Sequence, residues 1–297
     1  MRFAPFAALA AAVQSPAQAA SPAAGIEVFY SSDAEDSEIF KTAVLFDLKH
    51  ASRDKYLGVK FERARFTPLG QDGKTMERVY IRAADSIGGW KWNATVGTDG
   101  HTILGSAAIH DQSKFRKEFF VERDIVETPL GISRGLYSTF AGAAIDLPAD
   151  DRNIFTAFAG IQDFTGDNVR LHLRGNYVHV LKPQWGLSAQ LRGRYFKSSQ
   201  PGEFDYFSPR WYAEVLPVIQ MRRFVGGWQL LGALGYGAQR DSDSKWRSSR
   251  YANARFTSPR FHKDWALTGN FVYTSTPVAT GNTYGYFQAN IGLVKAF

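Results

Sequence analysis

The 297-residue chain contains no cysteine. That removes disulfide staples, thiolate nucleophiles and cysteine-ligated zinc together. Also missing is any window approaching the roughly 18 uncharged apolar residues of a membrane-spanning helix. No stretch keeps a helical period over useful length, and no linker or low-complexity segment divides the chain. There is no nucleophile-elbow or metal-helix motif. Helix bundles, helical-repeat arrays and the common motif-bearing hydrolases are therefore poor fits.

What the chain has is alternation. From Thr283 to Phe297 it reads TYGYFQANIGLVKAF. Phe287, Ala289, Ile291, Leu293 and Phe297 form one apolar set, against Tyr286, Gln288 and Asn290 with the small Gly292. A period of two over more than ten residues describes a strand with one greasy and one wet face. About 9–11 residues suffice for a tilted strand to cross a bilayer. Val169–Tyr177 repeats the pattern, with Leu171 and Leu173 against Arg170, His172 and Arg174. So does Leu187–Tyr195, with Leu191 against Arg192 and Arg194. About sixteen such runs succeed one another, from Ile26–Ser32 to Tyr284–Phe297, an even number as single-chain bacterial barrels require; fourteen to eighteen fits within the uncertainty of the boundaries. Asp72-Gly73, Asp99-Gly100, Gly166-Asp167 and Gly281-Asn282 supply turns. Pro217 falls inside a run and predicts a bulge or a shortened strand.

Composition agrees. The mean hydropathy of −0.26 would suit a soluble protein. A barrel reconciles that value with greasy strands, because only alternate residues meet lipid. Aromatics make up 14% of the chain, enough for girdles at both membrane interfaces. Met1–Ala19 has a basic start, an apolar run over Phe6–Val13 and a small-x-small site at Ala17-Gln18-Ala19, the pattern of a signal peptide cleaved near Ala19. The expectation is thus a single all-β domain over residues 20–297, a transmembrane antiparallel up-and-down barrel in a bacterial outer membrane. Export makes nucleic acid an unsuitable partner for the net charge of +7, leaving an anionic lipid surface or a basic lumen.

Three segments carry a resemblance: Tyr206-Phe207-Ser208-Pro209 with Tyr212 beyond it, Val121–Thr128 followed by Gly131-Ile132, and Trp228–Gln239. They are similar to the C-terminal barrels of the cellulose and poly-N-acetylglucosamine export porins, and to the smaller stand-alone YaiO-type barrels. The resemblance covers Lys117–Phe297. It implies a sixteen-stranded barrel that passes a sugar polymer, without the helical-repeat domain those exporters carry. Either another periplasmic protein supplies that domain, or this is a stand-alone barrel of the YaiO kind whose substrate is open. A terminal Phe297 resembles the signal read by the barrel assembly machinery, and Lys295 departs from that pattern, as a long side chain able to snorkel near a strand end.

The basic row Arg170, His172, Arg174, Arg192, Arg194 and Arg222, with Glu214, is the candidate lumen lining and substrate path. Guanidinium forks suit the hydroxyl, carboxylate or phosphate groups of a passing polymer. The alternative is that acids such as Glu214 pair with these arginines and simply stiffen the wall. Tyr195, Tyr212, Tyr286 and Trp211 are either sugar-stacking platforms or girdle residues. His110-Asp111-Gln112-Ser113 is the one compact mixture of Ser–His hydrolase types, but neighbours on a strand point to opposite faces. No enzyme, cofactor or metal site is expected. The acidic Ser31–Glu38 lacks calcium-loop spacing and is expected to be a solvated loop. Lys245, Arg247 and Arg250 are candidates for lipopolysaccharide phosphates. The sequence reading is a porin-like conduit linked to exopolysaccharide secretion, with a plugged structural barrel as the alternative and a rim-site lipid hydrolase third.

Overall fold

In the computed structural model, residues 21–34, 37–70, 72–259, 264–275 and 285–297 are described. The expected signal peptide and the Gly281-Asn282 turn lie outside them. Sixteen antiparallel strands form one closed ring in sequence order. The first is β1 (Ser21–Asp33), followed by β2 (Glu38–Ser52), β3 (Lys55–Thr67), β4 (Lys74–Ile87), β5 (Trp90–Thr98), β6 (Ile103–Asp111), β7 (Lys117–Ile125) and β8 (Tyr137–Pro148). The second half comprises β9 (Asn153–Phe164), β10 (Val169–Lys182), β11 (Leu187–Ser198), β12 (Trp211–Val225), β13 (Trp228–Asp241), β14 (Arg247–Thr257), β15 (Trp265–Thr274) and β16 (Tyr286–Ala296). The ring closes where β16 pairs with β1, from Ala23↔Ala296 to Asp33↔Tyr286. No described helix is long and apolar enough to cross a membrane; the crossing elements are strands.

Alternation fixes which face is which, because directly paired residues share a face. On β2, Ile39, Lys41, Ala43, Leu45 and Asp47 are buried, while Phe40, Val44 and Phe46 are exposed. Leu234 on β13 is 70% exposed and Ile81 on β4 65%. The outside of the ring is thus a continuous apolar band, far larger than a water-soluble monomer exposes, and it suits hydrocarbon. Trp90, Trp92, Trp228 and Trp265 lie on that outer face near the end where Ser21 and Phe297 sit. Lys295 pairs with Trp265 there, its ammonium 5.3 Å from the Trp265 ring and 5.2 Å from that of Phe297, which is how a lysine reaches water from an apolar strand end.

Three connections at this end are only two residues long, Arg53–Asp54, Gly88–Gly89 and Gly226–Gly227. At the opposite, far end, the long connections 126–136 and 199–210 matter below. Pro217 does not shorten β12, contrary to the sequence expectation. The strand runs its full 15 residues, with Pro217 on the outer face opposite Leu191. Only the ladder to β13 skips a step, between Val215↔Ala238 and Val218↔Gly235, because proline has no N–H to give.

Candidate functional site: the lumen and the bar across its far mouth

The lumen wall divides into two halves of different electrostatic character. On the β1–β4 side, the cations are tied to acids. Lys60 Nζ lies 2.9 Å from both Glu27 and Glu62. Arg78 reaches Glu62 at 3.3 Å and Asp124 at 3.2 Å. Lys41, 2% exposed, lies 2.6 Å from Glu127 and 3.9 Å from Asp124. Glu27, Glu62, Glu122 and Asp124 line a cavity of about 190 Å³ together with Lys60, Arg82, Tyr56 and Tyr80.

The β10–β14 side is arginine-rich. Register places Arg174 opposite Arg194, Arg194 opposite Glu214, and Arg222 and Arg255 on either side of Leu231. Arg170, 4% exposed, gives Nη2–H to the Phe207 carbonyl and sits 4.4 Å over the Phe196 ring and 4.9 Å over Phe164. Arg174 lies 4.9 Å over Phe158 and 5.7 Å over Phe140, and its buried Nε has no hydrogen-bond partner among the described residues. Arg192 reaches Gln190 Oε1 at 3.0 and 2.8 Å and stacks 4.8 Å from the Tyr251 ring. Arg194 does pair with Glu214, at 3.5 Å. The buried His172 meets Gln162 at 3.2 Å between Phe140 and Phe196. All seven lumen candidates read from the sequence therefore face inward on adjoining strands. The pairing alternative describes Arg194 and Glu214.

Across the far mouth lies a bar. β6 and β7 stay paired only as far as Gly105↔Arg123. Gly105 has φ +137°, and a Cβ there would stand 1.9 Å from the Thr95 carbonyl oxygen. Beyond Arg123 the β7–β8 hairpin turns over the lumen and carries the helix α1 (Pro129–Arg134). The helix ends obey ordinary rules: Thr128 caps it by accepting from the Gly131 N–H, Pro129 opens it, and Gly135 closes it at φ 69°. One side of the bar, Ile125 and Ile132, packs among Phe29, Ile39, Phe66 and Met76 of β1–β4. The other, Val126 and Leu136, packs with Phe164 and Tyr206. Lys41–Glu127 and Lys74 Nζ to the Ile132 carbonyl, at 3.1 Å, tie it to one wall. On the opposite side Asp205, in the 199–210 connection, accepts from Thr128 Oγ1 at 2.6 Å and from the Leu130 N–H at 2.7 Å. Burial alone would raise the Glu127 carboxyl, but Lys41 holds it below the usual range. The Tyr206 hydroxyl is pushed up to about 12, first by burial and then by its bond to Glu203. It therefore stays protonated as the donor to Glu203, 3.1 Å away.

Sequence reasoning missed this bar. Six helical residues are too few to show a period, although the cap, proline and glycine signals were present. Two of the three segments that carry the family resemblance, Val121–Ile132 and Tyr206–Pro209, meet in it.

Other candidates are placed differently. Tyr195 and Trp211 lie on the lipid face. Tyr212 is fully buried against Phe196, 5.0 Å away, and Tyr286 is buried, so none of the four offers an open face to a sugar. His110 points inward and Asp111 outward; Ser113 Oγ bonds Asp111 at 3.0 Å, and no hydrolytic triad is assembled from this trio. β1 continues through Asp33, so the start of the acidic Ser31–Glu38 stretch is strand rather than loop. Among the described residues no acid or histidine group is arranged to hold a metal ion. Arg247 turns to Asp241 at 3.0 Å, while Arg250 remains exposed.

No family model and no curated relative matches the sequence. Among solved structures the chain is similar to a bacterial polysaccharide outer membrane secretin, with a TM-score of 0.66 at 11% identity over 92% of this chain and 98% of that one. This is the fold of an outer-membrane barrel. A weaker likeness links the barrel to Pseudomonas aeruginosa OprD, with a TM-score of 0.45 at 10% identity over 95% of this chain and 98% of that one.

Proposed function

We propose that this barrel is a passive conduit of the bacterial outer membrane, linked to secretion of a sugar polymer. The end holding Ser21 and Phe297 would face the periplasm, and the bar would lie at the outer mouth. The observation that carries the reading is the ring itself: an apolar outside around an inside lined by arginine, asparagine, glutamine and aromatic rings. Hydrogen-bonding side chains beside ring faces are what hydroxyl-rich chains need, and the likeness to a polysaccharide secretin barrel supports it. The protein would not drive transport. It lowers the barrier for a polymer pushed from below by other proteins, among them a periplasmic helical-repeat partner.

A second reading, a sealed structural barrel, is favoured by one feature, the bar anchored to both walls. Planar-bilayer recording separates the two. The conduit reading expects steady or gated currents, with residues 126–136 limiting them. A barrel that stays silent both intact and with those residues replaced by a short Gly-Ser turn would overturn it.

A further inference from the structure

The two halves of the lumen treat their cations differently. On β2–β4, Lys41, Lys60, Arg78 and Arg82 each have a carboxylate within 4 Å. On the facing wall, Arg170, Arg174, Arg192 and Arg255 have none among the described residues. Their contacts are a backbone carbonyl and the Ser198 hydroxyl for Arg170, ring faces, Gln190 and, for Arg255, Asn270 at 3.4 Å. Arg174 stands directly opposite Arg194, and Glu214, 3.5 Å from Arg194, is one carboxylate beside two like charges that would otherwise repel across the ladder. Buried charge without a counter-charge is costly, and stiffening the wall does not require it. Arginine also differs from lysine in offering a planar fork that grips a carboxylate with two parallel N–H bonds.

We infer that the inner face of β10–β14 is a binding track for the carboxylates of an acidic glycan. This inference rests on the conduit reading for its polymer but not for its charge. The track descends from Arg174 and Arg194 through Arg192 to the Arg222–Arg255 pair, crossing β10 to β14 as it goes. Gln190, Gln220, Asn253 and Asn270 lie along the same inner rows, able to serve the sugar hydroxyls. The carboxylates of the polymer would supply counter-charge to Arg174, Arg192 and Arg255, while on the opposite wall the cations are already held by carboxylates, which leaves the chain to the arginine side.

The test is calorimetric titration of the folded barrel in lipid nanodiscs with an oligogalacturonate. Its methyl ester of equal length and inorganic phosphate serve as comparison probes. The acidic oligomer should bind at least tenfold tighter than its ester and more tightly than phosphate, and should weaken as salt rises. R174Q/R192Q/R255Q should lose that tenfold preference. The milder R192Q should lose part of it, and folding of both is checked by heat-modifiable gel mobility. Equal binding of acid and ester, or binding of phosphate with no preference for the oligomer, overturns the track. A barrel that binds the acidic oligomer yet never conducts sinks the conduit reading and leaves the track standing.

Discussion

Replacing Lys41 with methionine tests whether the bar is held by electrostatics. The side chain is 2% exposed, its ammonium 2.6 Å from Glu127, itself 12% exposed, and 3.9 Å from the more open Asp124. Removing one member of a buried ion pair costs about 3–5 kcal/mol. Asp124 is also served by Arg78 at 3.2 Å, so its share of the loss is small and the lower end of the range applies, about 3 kcal/mol. At about 1.4 kcal/mol per decade, this shifts the balance between seated and released bar by roughly a hundredfold. The bar carries its own reporters. The amides of Val126, Ile132 and Leu136 bond to Leu136 O, Thr128 O and Gly131 O at 2.8, 2.9 and 2.8 Å. Their hydrogen exchange in nanodiscs should accelerate by about that factor in K41M, while amides at the centres of β9 and β10 stay unchanged. In K41M/E127M, where both charges are gone, much of the protection should return. Exchange in K41M as slow as in the native barrel would refute the reasoning, and so would a double variant as fast as K41M.

The same pair gives a pH dependence. The Glu127 value is depressed in the folded state, so its contribution is present above the unfolded value of about 4.3 and lost as pH falls through the lower folded value. Protection factors across residues 126–136, exchange rates divided into the intrinsic rate at each pH, should fall in strongly acidic buffer, below about pH 4, and K41M should flatten that profile. Asp205→Ala removes two acceptors from the start of α1 and should cost about 1–2 kcal/mol of local stability, read as faster exchange at Leu130, with Asp205→Asn recovering part of it. On the lipid side, Leu234→Arg at mid-strand should cost about 2–4 kcal/mol in urea unfolding from vesicles. Gln220→Arg, on the inner face of the neighbouring strand, should cost clearly less; equal costs would mean the faces are assigned wrongly.

The ring was legible because a barrel writes its inside and outside into every second residue. Val169–Tyr177 and Leu187–Tyr195 state their faces without ambiguity, and the strand count followed from repeating that signal. The inward placement of Arg170, Arg174, Arg192 and Arg222 came from the same period. Aromatics were harder. Tyr212 and Tyr195 are chemically alike, and whether a ring faces a sugar, a neighbour or lipid depends on parity and height together. The bar was out of reach because its contacts are non-local: Glu127 meets a lysine 86 residues earlier, and Thr128 an aspartate 77 residues later. No periodicity encodes such meetings.

The seam between β16 and β1 has a mechanical corollary. A row of strands with two free margins can be peeled from either margin, one ladder at a time, and its ends fray first. Here neither margin exists, so the terminal strands are clamped as firmly as those in the middle. Unravelling must begin by rupturing some whole ladder within the bilayer, where the freed backbone finds no water. Such an object loosens abruptly or not at all, and its lifetime is governed by that first break rather than by the sum of its contacts.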